Sequence, residues 1–347
     1  MICGCASRPR PYRGKQPTNQ PLETSATTTL PAPFSNGTQK WLVRYAIVVT
    51  DEFYNKNGKD DAAVEQAVVT ALNVMTALYQ RELAVRFELV KPTNGQYYFS
   101  AVATPTLPAS ATAPPTGSVR YQNLDDVKAI IKARFALSSY DLGHCYNEPD
   151  GGVAGVGVLC SDTDKQAGWS GCPPMACAAI LAHELGHQFG SDHTHNGDCG
   201  NGPPGSNLEP GGGATIMAYA PVCRPENLLE VEDAYTYFNL RSLDQMRTRL
   251  NANKCLVDPV ANANRPPVLS AGADYVIPRN TPFTLTASGR DPDGDALAYT
   301  WDQFDYTANI GALGSIAGKL GIAAVDDPDA PLFRPRPARR CAYTHLS

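Results

Sequence analysis

Apolar residues change their spacing several times along this chain, and each change predicts an element. Trp41 to Thr50, WLVRYAIVVT, is a β-branched and aromatic run of strand length. Next, Val64, Ala67, Val68, Ala71, Leu72, Met75 and Leu78 recur at helical intervals, with Asp60 placed to cap a helix running to about Gln80. Leu83 to Val90 predicts a second strand. Strand, helix and strand in succession predict a right-handed crossover in a largely parallel sheet. Leu124, Val127, Ile130, Ile131 and Phe135 form another helical stripe over Asn123 to Leu137. Tyr140 to Tyr146 and Val153 to Cys160 predict strands on either side of a Gly151-Gly152 turn, and Leu240 to Asn253 a closing helix. Lys91 to Tyr121 is loop-rich, with only Tyr97 to Ser100 extended in character, and Asn196 to Gly213 is dominated by Gly, Asn and Pro.

One helical stretch carries chemistry as well as periodicity. Ala176 to His195, ACAAILAHELGHQFGSDHTH, sets His183, Glu184, His187, Gly190 and His193 in the order H-E-x-x-H-x-x-G-x-x-H, with Pro173 and Pro174 suited to the helix's first turn. Residues i and i+4 share a helix face, so His183 and His187 can converge on one ion. Glu184 lies about 100° round the axis, within reach of a water but outside the ligand set. Gly190 lets the chain leave the helix with positive φ, which returns His193 as a third ligand. Three neutral protein ligands and one open position are the layout of a catalytic zinc site. His195 and Glu209 are rivals for the third place, and only spacing favours His193. His144 fits a core or rim histidine better than a ligand.

Composition narrows the setting. The 347 residues suggest one large domain and a smaller one. A net charge of -5 offers no basic patch for nucleic acid. No uninterrupted apolar run approaches the roughly 20 residues of a membrane span. Ten cysteines is high for a cytosolic enzyme and ordinary for an exported one. Seven of them, Cys145, Cys160, Cys172, Cys177, Cys199, Cys223 and Cys255, fall within or at the end of the large domain, with connectivity left open. Cys199 to Cys223 is the preferred bridge, because it would tie the loop after the third histidine to the segment after Met217. Residues 1–39 are rich in Pro, Thr, Ser and Asn and are expected to be a disordered leader or the remnant of a pro-segment. No apolar signal region follows Met1, so the expectation is that the true start lies upstream or that the reading of the start is wrong.

Two separated motifs then agree. HELGHQFGSDH and, about two dozen residues on, ATIMAYA (Ala214 to Ala220) resemble the metzincin zinc endopeptidases, and most of all the bacterial secreted reprolysin-like members. The likeness spans about Trp41 to Cys255. It implies an α+β catalytic domain with a mixed twisted sheet, long helices, a zinc-site helix and a Met-turn. It implies His183, His187 and His193 as ligands of one Zn2+, Glu184 as general base towards a zinc-activated water, Gly190 as the structural turn and Met217 as the residue beneath the metal. Tyr219 falls where some members place a tyrosine that steadies the oxyanion. Val153, Gly155 and Gly157 lie on the expected strand that either pairs with an extended substrate or is an ordinary buried strand. The implied activity is secreted endopeptidase action on protein or peptide substrates. The alternative is a catalytically silent binding protein that keeps the zinc fold.

Beyond residues 40–256 the pattern changes. A linker over 257–265 leads to short strands, ADYVIP, PFTLTAS and ALAYTWDQF, resembling the small all-β sandwich modules, Ig-like or cadherin-like, of secreted bacterial proteins. The module is expected over 266–337, either truncated or with its last residues from a shifted reading frame, and to bind a surface or protein of unknown kind; residues 338–347 are expected to be a tail. Asp291, Asp293 and Asp295 in the DPDGD turn are candidate Ca2+ ligands, or simply an acidic hairpin turn.

Overall fold

A computed structural model describes residues 39–91, 124–147, 151–171, 177–196, 205–219, 236–252, 255–261, 263–278, 281–304 and 343–346, with Gly37, Gly202 and Pro203. Strand β1 (Gln39–Val49) is the axis of the large domain. β2 (Val85–Leu89) and β3 (Leu142–Asn147) both pair with it in parallel. β5 (Gly168–Gly171) continues the sheet beside β3, and β4 (Gly151–Ala154) ends it antiparallel to β5. The order is therefore β2-β1-β3-β5-β4, with β4 at the edge.

Side chains along β1 alternate between two cores, as the period of two demands. Tyr45, Ile47 and Val49 face α2 (Asp61–Leu83), the zinc-motif helix α4 (Cys177–Gln188) and α5 (Leu240–Ala252). Ala46 and Val48 face α3 (Leu124–Arg134), with Cys145 and Trp169. Burial on both faces explains why Tyr45 to Val49 is apolar without interruption. Asp60 caps α2 by accepting the Ala63 amide, and Ala84 ends it in the left-handed region. α2 is long and apolar enough by composition to cross a membrane, yet Val64, Val68, Leu72, Met75, Tyr79 and Leu83 are buried against the protein.

Several expectations need correction. Val153 to Cys160 is not one strand, and β3 and β4 form no hairpin. Only Gly151–Ala154 is extended, after which the chain turns with positive φ at Gly157 and Cys160. The intervening pairing partner is β5, GWSG, too short and glycine-rich to stand out. A short helix α1 (Asp51–Lys56), capped by Thr50, follows β1 directly. Val257–Ala261 is not linker but β6, antiparallel to the start of β1. The bridge among the described residues is Cys160–Cys255, which ties the turn after β4 to the end of α5, while Cys145 is a buried thiol. Cys199, Cys223, Pro173, Pro174 and Tyr97 to Ser100 lie outside the described residues.

Downstream, β7 (Val268–Ser270) pairs with β9 (Ser288–Arg290), and β8 (Phe283–Thr286) with β10 (Tyr343–Leu346). The end of the expected tail is thus a strand. The stretches 273–278 and 296–304 form no regular strand.

Candidate active site

Helix α4 presents His183 and His187 one turn apart, and a sharp exit after His187 brings the chain back. Gly190 has φ +103°, and its amide donates to His187 O at 2.8 Å. A β-carbon there would be strained by φ alone. The return places His193 Nε2 3.1 Å from His183 Nε2 and 3.0 Å from His187 Nε2. Among the described residues, these three form the group whose ligand atoms all fall within 4.8 Å of one another.

Backbone carbonyls set the rings. His183 Nδ1 lies 2.7 Å from Ile216 O, and His187 Nδ1 lies 2.7 Å from Ser191 O. Because a carbonyl only accepts, each Nδ1 carries the proton and each Nε2 lone pair faces inward. Burial, reinforced by the neighbouring imidazoles, holds His183 well below the usual histidine range and lowers His187 to about 4. Neutral, convergent imidazoles are the donor set that a zinc ion requires.

The rival ligands stand elsewhere. His195 is fully buried and stacks on Tyr219, with ring centroids 4.6 Å apart. Glu209 is fully buried as well, its carboxylate engaged by Thr194, Ala214 and Thr215. His144 is a core residue: it is shut from solvent between Gln188 and Ser170, and burial lowers it to about 4. Asp291, Asp293 and Asp295 form no converging metal group; Asp293 pairs with Arg265 at 2.7 Å, and Asp291 Oδ1 accepts the amides of Asp293 and Asp295.

Glu184 sits beside the histidines with Oε2 buried and without a hydrogen-bond partner, and burial pushes its carboxyl up to about 8. The edge strand lies directly on it: a β-carbon at Gly152 would come 2.5 Å from Glu184 Cγ. Gly152 therefore serves close approach, a role invisible while the Gly-Gly pair reads as a turn. Val153, on the same strand, is 43% exposed at the rim of a cleft of about 460 Å³ that also takes in Glu184, His187, Asp192, His193 and Tyr219. Gly155 and Gly157 belong to the turn instead, and Gly157 and Leu159 donate to the terminal carbonyls of the zinc-motif helix, His187 O and Gln188 O.

Support from below comes through Met217. It is fully buried, and a β-carbon at Gly186 would meet its sulfur at 2.4 Å, so only glycine lets helix and Met-turn come this close. Tyr219 packs over the same group, 4.5 Å from the His193 ring.

An α+β domain whose helix offers two imidazoles, whose exit loop returns a third and whose edge strand covers a buried carboxyl defines a metal-dependent peptidase. Residues 39–228 match the Reprolysin_5 model, metallo-peptidase family M12, and the chain belongs to that family. No curated protein matches the chain. A solved chain from a structure described as "Structure of a chaperone-substrate complex" aligns with 62% of this chain and 35% of its own length, at 14% identity and a TM-score of 0.38. This chain thus spans well under half of that one, and a likeness so low carries no argument.

Proposed function

We propose that the chain is an exported zinc endopeptidase with Glu184 as its general base. The observation that carries this reading is the placement of a buried carboxyl, its Oε2 without a hydrogen-bond partner, beside three imidazoles in which His193 Nε2 lies 3.0 to 3.1 Å from the Nε2 atoms of His187 and His183. His183, His187 and His193 would hold the ion. When bound, zinc supplies Lewis acidity, which acidifies a water and polarises a peptide carbonyl.

The chain's own groups do the remaining work. Glu184 accepts the proton of the attacking water and delivers it to the leaving amine, a task for which its carboxyl lines the same cleft as His187 and His193. Strand β4, the last strand of its sheet among the described residues, offers main-chain hydrogen bonds to an extended substrate, with Val153 at the rim. Tyr219, stacked on His183 and packed against His193 at the cleft, is the donor to the developing oxyanion in this reading. Met217 steadies the helix from beneath.

Export is supported by the Cys160–Cys255 bridge together with the ten cysteines, since disulfides persist in oxidising compartments. The C-terminal stretch is read as an all-β module, supported by the two antiparallel pairs β7·β9 and β8·β10; its attachment to a surface or protein is part of the proposal. Hydrolysis of an unfolded protein, stopped by a chelator and restored by zinc, tests the activity. Zinc binding without any hydrolysis would favour a silent binding protein instead.

A further inference from the structure

Glu209 has the chemistry of a zinc ligand and a different use. Its carboxylate is fully buried. Oε1 accepts from Thr194 Oγ1 at 2.6 Å and from Thr215 Oγ1. Oε2 accepts the amides of Ala214 at 2.6 Å and Thr215 at 3.1 Å. Four donors fill the four lone-pair sites of an ionised carboxylate, so none is left for a metal. The main chain repeats the tie: Glu209 N donates to Thr194 O at 2.8 Å, and Asn196 N donates to Glu209 O at 2.9 Å.

These donors belong to two segments that both govern the zinc site. Thr194 follows His193 directly. Ala214 and Thr215 open the Met-turn, whose Ile216 carbonyl takes the Nδ1 proton of His183 at 2.7 Å. Thr194 N also donates to Met217 O at 3.0 Å, closing the loop between the segments. The glycine run preceding the Met-turn fits this arrangement: Gly213 has φ +72°, and a β-carbon there would sit 2.9 Å from Glu209 Oε2. The chain is shaped to pass around this carboxylate.

We propose that Glu209 is a positioning residue that fixes His193 and the carbonyl partner of His183 in one register, so that metal affinity depends on a carboxylate touching neither metal nor substrate. The inference rests on the reading of the three histidines as the zinc site. Groups that orient metal ligands typically carry about 10–100-fold in metal affinity or activity. Loss of the two oxygens removes the acceptor of two buried amides and leaves the two hydroxyls only their mutual contact at 3.4 Å, which a packed loop relieves only by shifting.

The test is a chelator competition for zinc on the full chain, with the absorption spectrum of the cobalt-loaded protein as a geometric readout. The variants are Glu209→Leu, Glu209→Gln and Thr194→Val. Glu209→Leu weakens zinc binding by about 10–100-fold and alters the cobalt spectrum, while amide-exchange protection in β1 and α2 stays as in the wild type. Glu209→Gln keeps one oxygen for the two amides and turns its NH2 to hydroxyls that can rotate to accept, so it recovers much of that loss. Thr194→Val removes one of the four bonds to the carboxylate, with the 3.4 Å contact to Thr215 Oγ1, and weakens zinc by a smaller factor, and the Thr194→Val/Glu209→Gln pair is non-additive. If the leucine variant does not fold, the other two and their coupling decide. Wild-type zinc affinity and cobalt spectrum in the folded variants, or additive effects of the pair, would overturn the proposal. A wild-type protein that binds no zinc removes the functional reading, and this inference with it.

Discussion

Around the three histidines, most buried polar side chains are held by hydrogen bonds, Glu184 Oε2 excepted; in the described C-terminal stretch, Val268, Leu269 and Val276 stand in solvent. Glu209, Gln188, His144 and Thr194 are all shut from water, and each has named partners. Val268 is 54% exposed, Leu269 61% and Val276 100%. The first region is specified by a network in which every member limits its neighbours, and such networks fix one geometry. The second meets the first where Asp302 Oδ2 accepts the Leu240 amide at the start of α5 at 2.7 Å. A site is rigid where burial and hydrogen bonding coincide, and substitutions should separate the two regions accordingly.

The largest effect is expected at the first region's ligands: His187→Ala reduces both zinc content and hydrolysis to background, by metal analysis and peptide assay. Gly152→Val is next. Its side chain would displace Glu184, and a misplacement of about 1 Å at a reacting group costs on the order of 10²-fold in rate. The thermal transition should stay close to the wild type's, because β4 is an edge strand; a variant that is fully active would show that the close approach is not needed.

Removal of the bridge by Cys160→Ser with Cys255→Ser frees the turn that caps α4. The linked cysteines are 95 residues apart, and about 2–5 kcal/mol of stability should be lost, read from denaturant unfolding. Gly186→Ala forces a methyl into the Met217 sulfur and should cost about 1–3 kcal/mol. An unchanged midpoint in either case would break the account of how the zinc-motif helix is held.

The smallest effect lies at the junction of the two regions. Asp302 is partly buried as a residue, but its Oδ1 is shut from solvent without a partner, and burial pushes its carboxyl up to about 7. The folded state therefore holds a proton that the unfolded chain releases near pH 4. The contribution of Asp302 to stability is greatest below about pH 4, falls as pH rises to about 7, and is flat above. Asp302→Asn should flatten that slope and add about 1–2 kcal/mol at pH 8, a figure reduced for partial exposure. A slope identical to the wild type's would place the pH dependence elsewhere.

How much of this was legible in the sequence differs between the regions for a physical reason. β1, α2 and β2 are long enough for period to declare itself, and Asp60 capped its helix where the pattern began. The HExxH spacing with Gly190 is a statement about geometry, so His193 could be preferred over His195 and Glu209 before any fold was known. Val153 to Cys160 misled because an apolar, glycine-rich run alternates like a strand, while positive φ at Gly157 and Cys160 turns the chain. β5 has only Trp169 to mark it, and Pro259 disguised β6 as linker. Nothing local signals that Gly152 lies on Glu184, or that Glu209 joins residues 15 and 6 positions away; both are facts of tertiary packing. In the second region, short strands with little burial leave period almost nothing to report.

The central claim is that Glu184 moves protons at a site it does not help to build. Zinc content and peptide hydrolysis measured together on Glu184→Gln test it most directly. The account predicts that zinc stays bound at the wild-type ratio while turnover falls by about 10²–10⁴-fold. Wild-type turnover in that variant, or loss of zinc in step with activity, would contradict it.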